Sequence, residues 1–200
     1  TNNATYNTAV GYEAMEKIQS GNENVAIGSQ ALWTNTAGSQ NVALGANALY
    51  VSTTAHNNVA VGHRAMFSST TATQNIAVGK SALGDLIDGD DNVAVGKSAG
   101  GDLTSGHKNI AIGTDSIRLA TTAHSNVAIG YQALDSTTAG SELVAIGAYA
   151  GQSYVGNAST TGGLSVFLGH TAGYLMTGNA SYGSVCVLGH AAGYQATGAN

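Results

Sequence analysis

Proline is absent from this 200-residue chain and cysteine occurs once, at Cys186. Without proline, no interior strand is denied a ladder hydrogen bond. A lone cysteine excludes an intrachain disulfide framework and leaves the redox compartment open. Charged residues make up 8% of the chain, against about a quarter in ordinary soluble domains. With six basic residues and a net charge of −5, bulk electrostatics rule out a nucleic-acid-binding surface. No run of 18 apolar residues occurs, so membrane insertion as a helix is not expected. The opening Thr1-Asn2-Asn3-Ala4-Thr5 lacks the basic and apolar regions of a signal peptide, and the chain reads as a processed or excised piece. Aromatic residues are only 6%, too few for a core built on large rings.

What is abundant is glycine, 28 residues, and it is in phase. Counting from the glycine of Asn24-Val-Ala-Ile-Gly28, the same position recurs at Gly11, Gly45, Gly62, Gly79, Gly96, Gly113, Gly130 and Gly147, always 17 residues apart. It continues at Gly169 and Gly189 after intervals of 22 and 20, which makes eleven repeats. Four residues before it stands asparagine in eight consecutive repeats: Asn7, Asn24, Asn41, Asn58, Asn75, Asn92, Asn109 and Asn126. Two before it is alanine from Ala9 to Ala145, and one before it is always Val, Ile or Leu. Three after it is alanine, except at Ser116, and four after it is usually Leu or Met.

A 17-residue period is too short for a helical repeat or a propeller blade. The segment Asn-Val-Ala-Ile-Gly alternates as a strand does, and Ala-Leu follows as a second short apolar segment. The fold class expected is all-β: a parallel β-solenoid in which each repeat is one coil with two short strands. Coils stacked at about 4.8 Å give a rod roughly 50 Å long. Asparagine columns become amide ladders along the axis, and the repeated glycine fits a bend with positive φ. Residues 1–151 form the regular solenoid; residues 152–200 continue it with longer coils and loop insertions.

Alternation places Val25 and Ile27 on one face, and Asn24, Ala26 and Gly28 on the other. If the large pair fills the coil, the Ala-Gly stripe lies outside and suits subunit packing. A coil this thin without disulfides needs another staple, and closed symmetry supplies one. A homotrimer is expected.

The motif Asn-Val-Ala-Ile-Gly-x-x-Ala, repeated in register, resembles the head repeats of trimeric autotransporter adhesins. Its longer form, as in Asn126-Val-Ala-Ile-Gly-Tyr-Gln-Ala-Leu134 and Val187-Leu-Gly-His-Ala-Ala-Gly-Tyr194, is similar to repeats of phage tail-fibre proteins. The resemblance covers roughly residues 7 to 194. It implies left-handed parallel β-rolls standing side by side in threes, on an extracellular or virion surface.

Chemistry is sparse by comparison. His56, His107 and His124 share one column, and His63, His170 and His190 another; solvated turn histidines explain both without a metal. Asp88-Gly-Asp-Asp-Asn92 lacks the ligand spacing of a calcium loop. Asp85 and Asp102 stack one coil apart, as do Lys80 and Lys97, with no arginine near the acids and almost no aromatic platform. A threonine column (Thr36, Thr53, Thr70, Thr104, Thr121, Thr138) is broken at Ile87 and reads as turn chemistry rather than an ice-binding face. Cys186 reads as a small core residue. No catalytic residue, cofactor or metal is expected, and the chain is read as non-enzymatic. The expected function is a structural and attachment segment of a trimeric tail-fibre-like shaft or head. The alternative is a bacterial adhesin head, or a subunit of an extracellular filament. Any contact with a host-surface glycan or protein is expected where the period breaks, at Tyr154, Asn157, Tyr174, Asn179, Tyr182 and Tyr194, because exposed tyrosine beside small polar groups suits such contacts.

Overall fold

The computed structural model describes residues 3–137, 140–154, 164–176 and 184–195. It is a parallel β-solenoid. Its strands are β1 (Thr8–Val10), β2 (Val25–Ile27), β3 (Val42–Leu44), β4 (Val59–Val61), β5 (Ile76–Val78), β6 (Val93–Val95), β7 (Ile110–Ile112), β8 (Val127–Ile129), β9 (Leu143–Ile146), β10 (Ser165–Leu168) and β11 (Cys186–Leu188). They form a single sheet in strict sequence order. Register follows the repeat: Val42 pairs with Val59, Ala43 with Ala60 and Leu44 with Val61. The longer ninth and tenth coils keep it, with Phe167 opposite Ala145 and Val187.

Among the described residues one strand forms per coil, not two. The Ala-Leu segment is a turn, although Ala31 and Leu32 are buried. Its backbone still bonds between coils: the Leu32 N–H donates to the Ala48 carbonyl at 3.0 Å and the Gln30 N–H to the Tyr12 carbonyl at 2.8 Å. Residues other than glycine adopt left-handed conformations at repeated positions, such as Glu23 (φ 58), Gln30 (φ 55) and Leu32 (φ 50). Each costs about 1–2 kcal/mol. The inter-coil ladder fixes them, because these same residues donate or accept in it. Gly28 has φ +137, and a Cβ there would stand 2.6 Å from the Gly45 carbonyl carbon. The bend therefore excludes side chains by backbone approach as well as by conformation.

The interior is the reverse of the expected one. Ala26, Ala43, Ala60, Ala77 and Ala94 are fully buried, whereas Ile27, Leu44, Ile76 and Val95 are about 40% exposed. Asn24, expected outside with the alanines, is buried with them. The reason is width: a second buried segment, Ala31-Leu32, already lies inside each coil, and only Ala at the strand leaves it room. Phe167 makes the rule visible. It replaces the strand alanine and is fully buried. The coil before carries Gly151, and Phe167's own coil carries Gly173, where Leu normally sits, and a Cβ on Gly151 would meet the Phe167 ring at 2.9 Å. A large ring thus does enter the core where its neighbours give up their side chains.

The asparagine ladder forms as expected. Asn41 Nδ2 donates to Asn24 Oδ1 at 3.1 Å and to the Ala55 carbonyl at 2.7 Å, and Asn24 Oδ1 also accepts the Asn41 backbone N–H at 3.0 Å. The pattern runs on to Asn126, whose Oδ1 accepts the Leu143 N–H at 2.9 Å. There the ladder ends, because Leu143 has no amide to continue it. Cys186, expected in the core, is exposed on β11.

Asn75→Ala should lower stability by about 3 kcal/mol, because the buried Asn92 N–H loses its acceptor. Asn75→Asp should be worse, since it sets an acceptor against the Asn58 and Gly89 oxygens that now receive N–H groups. Denaturant titration of the purified chain measures both. In the same assay Ala94→Leu, overpacking a column flanked by Ala77 and Ala111, should cost at least about 1–3 kcal/mol. Thr121→Ser, in an exposed turn, should stay within about 0.5 kcal/mol.

Candidate functional surfaces

The most extensive surface feature is the outer face of the sheet. Two columns, Val25 to Val144 and Ile27 to Ile146, run outward from every coil between β2 and β9 and contain only Val, Ile and Leu. At one strand spacing per coil the stripe is about 34 Å long, far more than scattered apolar residues on a monomer surface.

A second feature is an aromatic ladder five residues after the repeated glycine. Trp33 stacks on Tyr50 at 5.0 Å, and Tyr50 on Phe67 at 5.0 Å with parallel planes. Lys17 Nζ lies 3.7 Å from the Trp33 ring centre and the Arg64 guanidinium 4.3 Å from that of Phe67. An aromatic platform therefore exists that the low aromatic content hid, because few rings suffice when they fall in one column. The next two rungs are Gly84 and Gly101, and the column resumes at Arg118. The missing side chains leave a notch of about 260 Å³ lined by Arg64, Phe67, Asp85, Asp102 and Arg118.

Asp85 and Asp102 do stack one coil apart, but arginine is not absent from them. Burial and the neighbouring Asp85 raise the Asp102 carboxyl above its ordinary range, while Arg118 acts in the opposite sense. Arg118 itself is committed to Asp135, with Nε 2.9 Å from Oδ1 and Nη2 3.4 Å from Oδ2. That partner holds the guanidinium above its usual range. Asp135 is buried, so this is the structural ion pair of the region.

The threonine column does turn chemistry. The hydroxyls of Thr36, Thr53 and Thr104 donate to the carbonyls of Thr53, Thr70 and Thr121 one coil on, at 3.0, 3.0 and 3.1 Å. Among the described residues no group of three or more His, Cys, Asp or Glu is placed to hold a metal ion, and no helix is long and apolar enough to cross a membrane.

The contact residues expected at the period break are not all presented together. Tyr154 is buried, 7% exposed, with its ring 5.0 Å from that of Phe167; it belongs to the core of the long coil. Asn157, Asn179 and Tyr182 lie outside the described residues. Tyr174 and Tyr194 stack in parallel at 5.0 Å. They belong to a larger ring surface that the sequence reading missed: Tyr131 meets Tyr149 edge-on at 5.2 Å, Tyr149 meets Tyr174 at 6.1 Å and His170 at 5.9 Å, and His170 stacks on His190 at 5.2 Å. The signal was available, since His170 and His190 share a repeat position with Tyr131.

Comparison with protein-family models, curated proteins and solved structures returns no match.

Removing charge repulsion at the notch should be harmless: Asp102→Asn should leave the melting temperature at neutral pH unchanged or slightly higher. Because the folded state holds the Asp102 proton more tightly than the unfolded chain, the contribution of this one group to stability rises as pH falls toward the ordinary carboxyl range, and this variant should lack that contribution. Arg118→Ala should instead cost about 1–3 kcal/mol by stranding the buried Asp135. Thermal melts at pH 7 and pH 5 measure both.

Proposed function

We propose that this chain is a non-enzymatic structural segment of an extracellular fibre, a tail-fibre-like shaft or head, that works as a side-by-side homotrimer of left-handed rolls. The observation that carries this is the aliphatic stripe on the outer face of the sheet. A monomer in water would keep two columns of Val, Ile and Leu wet along its whole length, at roughly 25 cal/mol per Å² of apolar surface. Parallel rods related by rotation about a common axis cover such a stripe along its length with identical contacts. The alanine stripe, first assigned to packing between subunits, is unavailable for it because it fills the coil. The resemblance of Asn-Val-Ala-Ile-Gly-x-x-Ala to fibre and adhesin-head repeats agrees with this arrangement.

Attachment to a host-surface glycan or protein fits the ring surface of Tyr131, Tyr149, Tyr174 and Tyr194 toward the end of the chain. Tyr131 and Tyr194 are each more than 40% exposed, and aromatic rings provide rigid contact area at low entropic cost.

Size exclusion with light scattering at micromolar concentration should give three times 19.9 kDa. The double change Val78→Asp and Ile112→Asp places carboxylates on the outer stripe. It should leave the circular dichroism spectrum of the coil intact while shifting the mass to that of one chain. A folded wild-type monomer would refute the assembly.

A further inference from the structure

The position eleven residues after the repeated glycine has a common role that its varied residue types conceal. There the side chain of one coil accepts the backbone N–H of the equivalent residue one coil earlier. Asn22 Oδ1 accepts from Thr5 at 2.8 Å, Ser39 Oγ from Asn22 at 3.0 Å, Asp90 Oδ1 from Thr73 at 2.7 Å and Ser141 Oγ from His124 at 3.3 Å. At the three histidines the acceptor is Nδ1: His56 from Ser39 at 3.0 Å, His107 from Asp90 at 3.0 Å and His124 from His107 at 3.2 Å. At Thr73 a backbone bridge with His56 carries the rung.

An amide, hydroxyl or carboxyl oxygen keeps a lone pair in mildly acidic water. An imidazole does not: the cation carries a proton on both nitrogens and accepts nothing. We propose that His56, His107 and His124 make this edge of the solenoid acid-sensitive, each bonding its coil to the one before only while Nδ1 is unprotonated.

The surroundings differ among the three. Ser39, Thr73, Asn57 and Gln74 flank His56 in sequence or one coil away, and all are uncharged. His124 packs on His107 with ring centres 5.3 Å apart, and Glu142 follows one coil on, its N–H on the His124 carbonyl. Burial and the neighbouring His107 hold the His124 imidazole below its ordinary range. His107 faces His124, Lys108 and Asp91 across a shared groove, and its Nδ1 is 3.9 Å from Asp90 Oδ2. That carboxylate offsets the lost acceptor, so His107 is the weakest of the three switches. The sign is fixed by linkage: where the fold favours neutral imidazole, the unfolded chain binds more protons below about pH 6.5. Stability is full above that value and is lost as pH falls through and below it.

The test is amide hydrogen exchange on the intact wild-type chain at pH 7.5 and 5.5, with rates corrected for intrinsic pH dependence. Protection of the Ser39 and His107 amides should fall at least tenfold at pH 5.5, while the Thr5 and Thr73 amides, bound to Asn22 and Asp90, hold theirs. Alongside it, the triple change His56→Ser, His107→Ser and His124→Ser copies the rungs already present at Ser39 and Ser141. It should remove a drop in melting temperature of about 3 °C or more between those pH values. Equal protection at both pH values overturns the proposal, as does a triple variant with the acid response of the wild type. If the triple variant fails to fold, the wild-type exchange pattern decides by itself.

Discussion

Between the two ends, every described coil of this chain is bonded to the coil before it and the coil after it. The backbone ladder runs along the axis at one strand spacing per coil, through the turns as well as through the strands. This forces each residue to sit over its equivalent 17 positions away, so a residue type that works once works everywhere in its column. It also sustains left-handed backbone at Glu23, Gln30, Leu32 and their equivalents, a conformation that no isolated turn of these residues would hold.

The second constraint is width. With Leu32 and Ala31 folded inward from the turn, the strand can contribute only Ala26 to the interior, and the amide of Asn24 fills the remaining corner. Polar and apolar columns are therefore interlocked. The asparagine satisfies both the next backbone N–H and the returning chain's carbonyl. Where the ladder stops at Leu143, the columns change together: Phe167 enters, Tyr154 packs against it, and Gly151 and Gly173 make room.

This interior displaces the large aliphatic residues outward, and that displacement carries the functional reading. A continuous line of Val, Ile and Leu on the solvent side of a sheet marks a surface that another molecule covers, and in the proposed trimer that cover is a second and third copy of the same stripe. The side of the coil away from the sheet is organised differently, as ladders of rings, hydroxyls and imidazoles whose contacts are also between successive coils. Stacking thus converts single side chains into continuous lines, whether of rings at Trp33, Tyr50 and Phe67 or of hydrogen-bond acceptors from Asn22 to Ser141.

Periodicity alone determined the solenoid, the register of its coils, the asparagine ladder and the bend at each repeated glycine, because stacking at a fixed period leaves one residue type per column and each column has one chemical use. Alternation could say that Val25 and Ile27 lie opposite Ala26, but not which side is inside. That depends on how much room the turn has already taken, a property of the closed coil and not of the strand. The same is true of Tyr154, whose burial follows from the space beside Phe167, and of Cys186, which lies on the outward side of β11. The acceptor role shared by Asn22, Ser39, His56, Asp90 and His107 was invisible in the sequence because the residues look unalike. Only the closed coil decides it, by placing each of these side chains against the backbone N–H of the rung before.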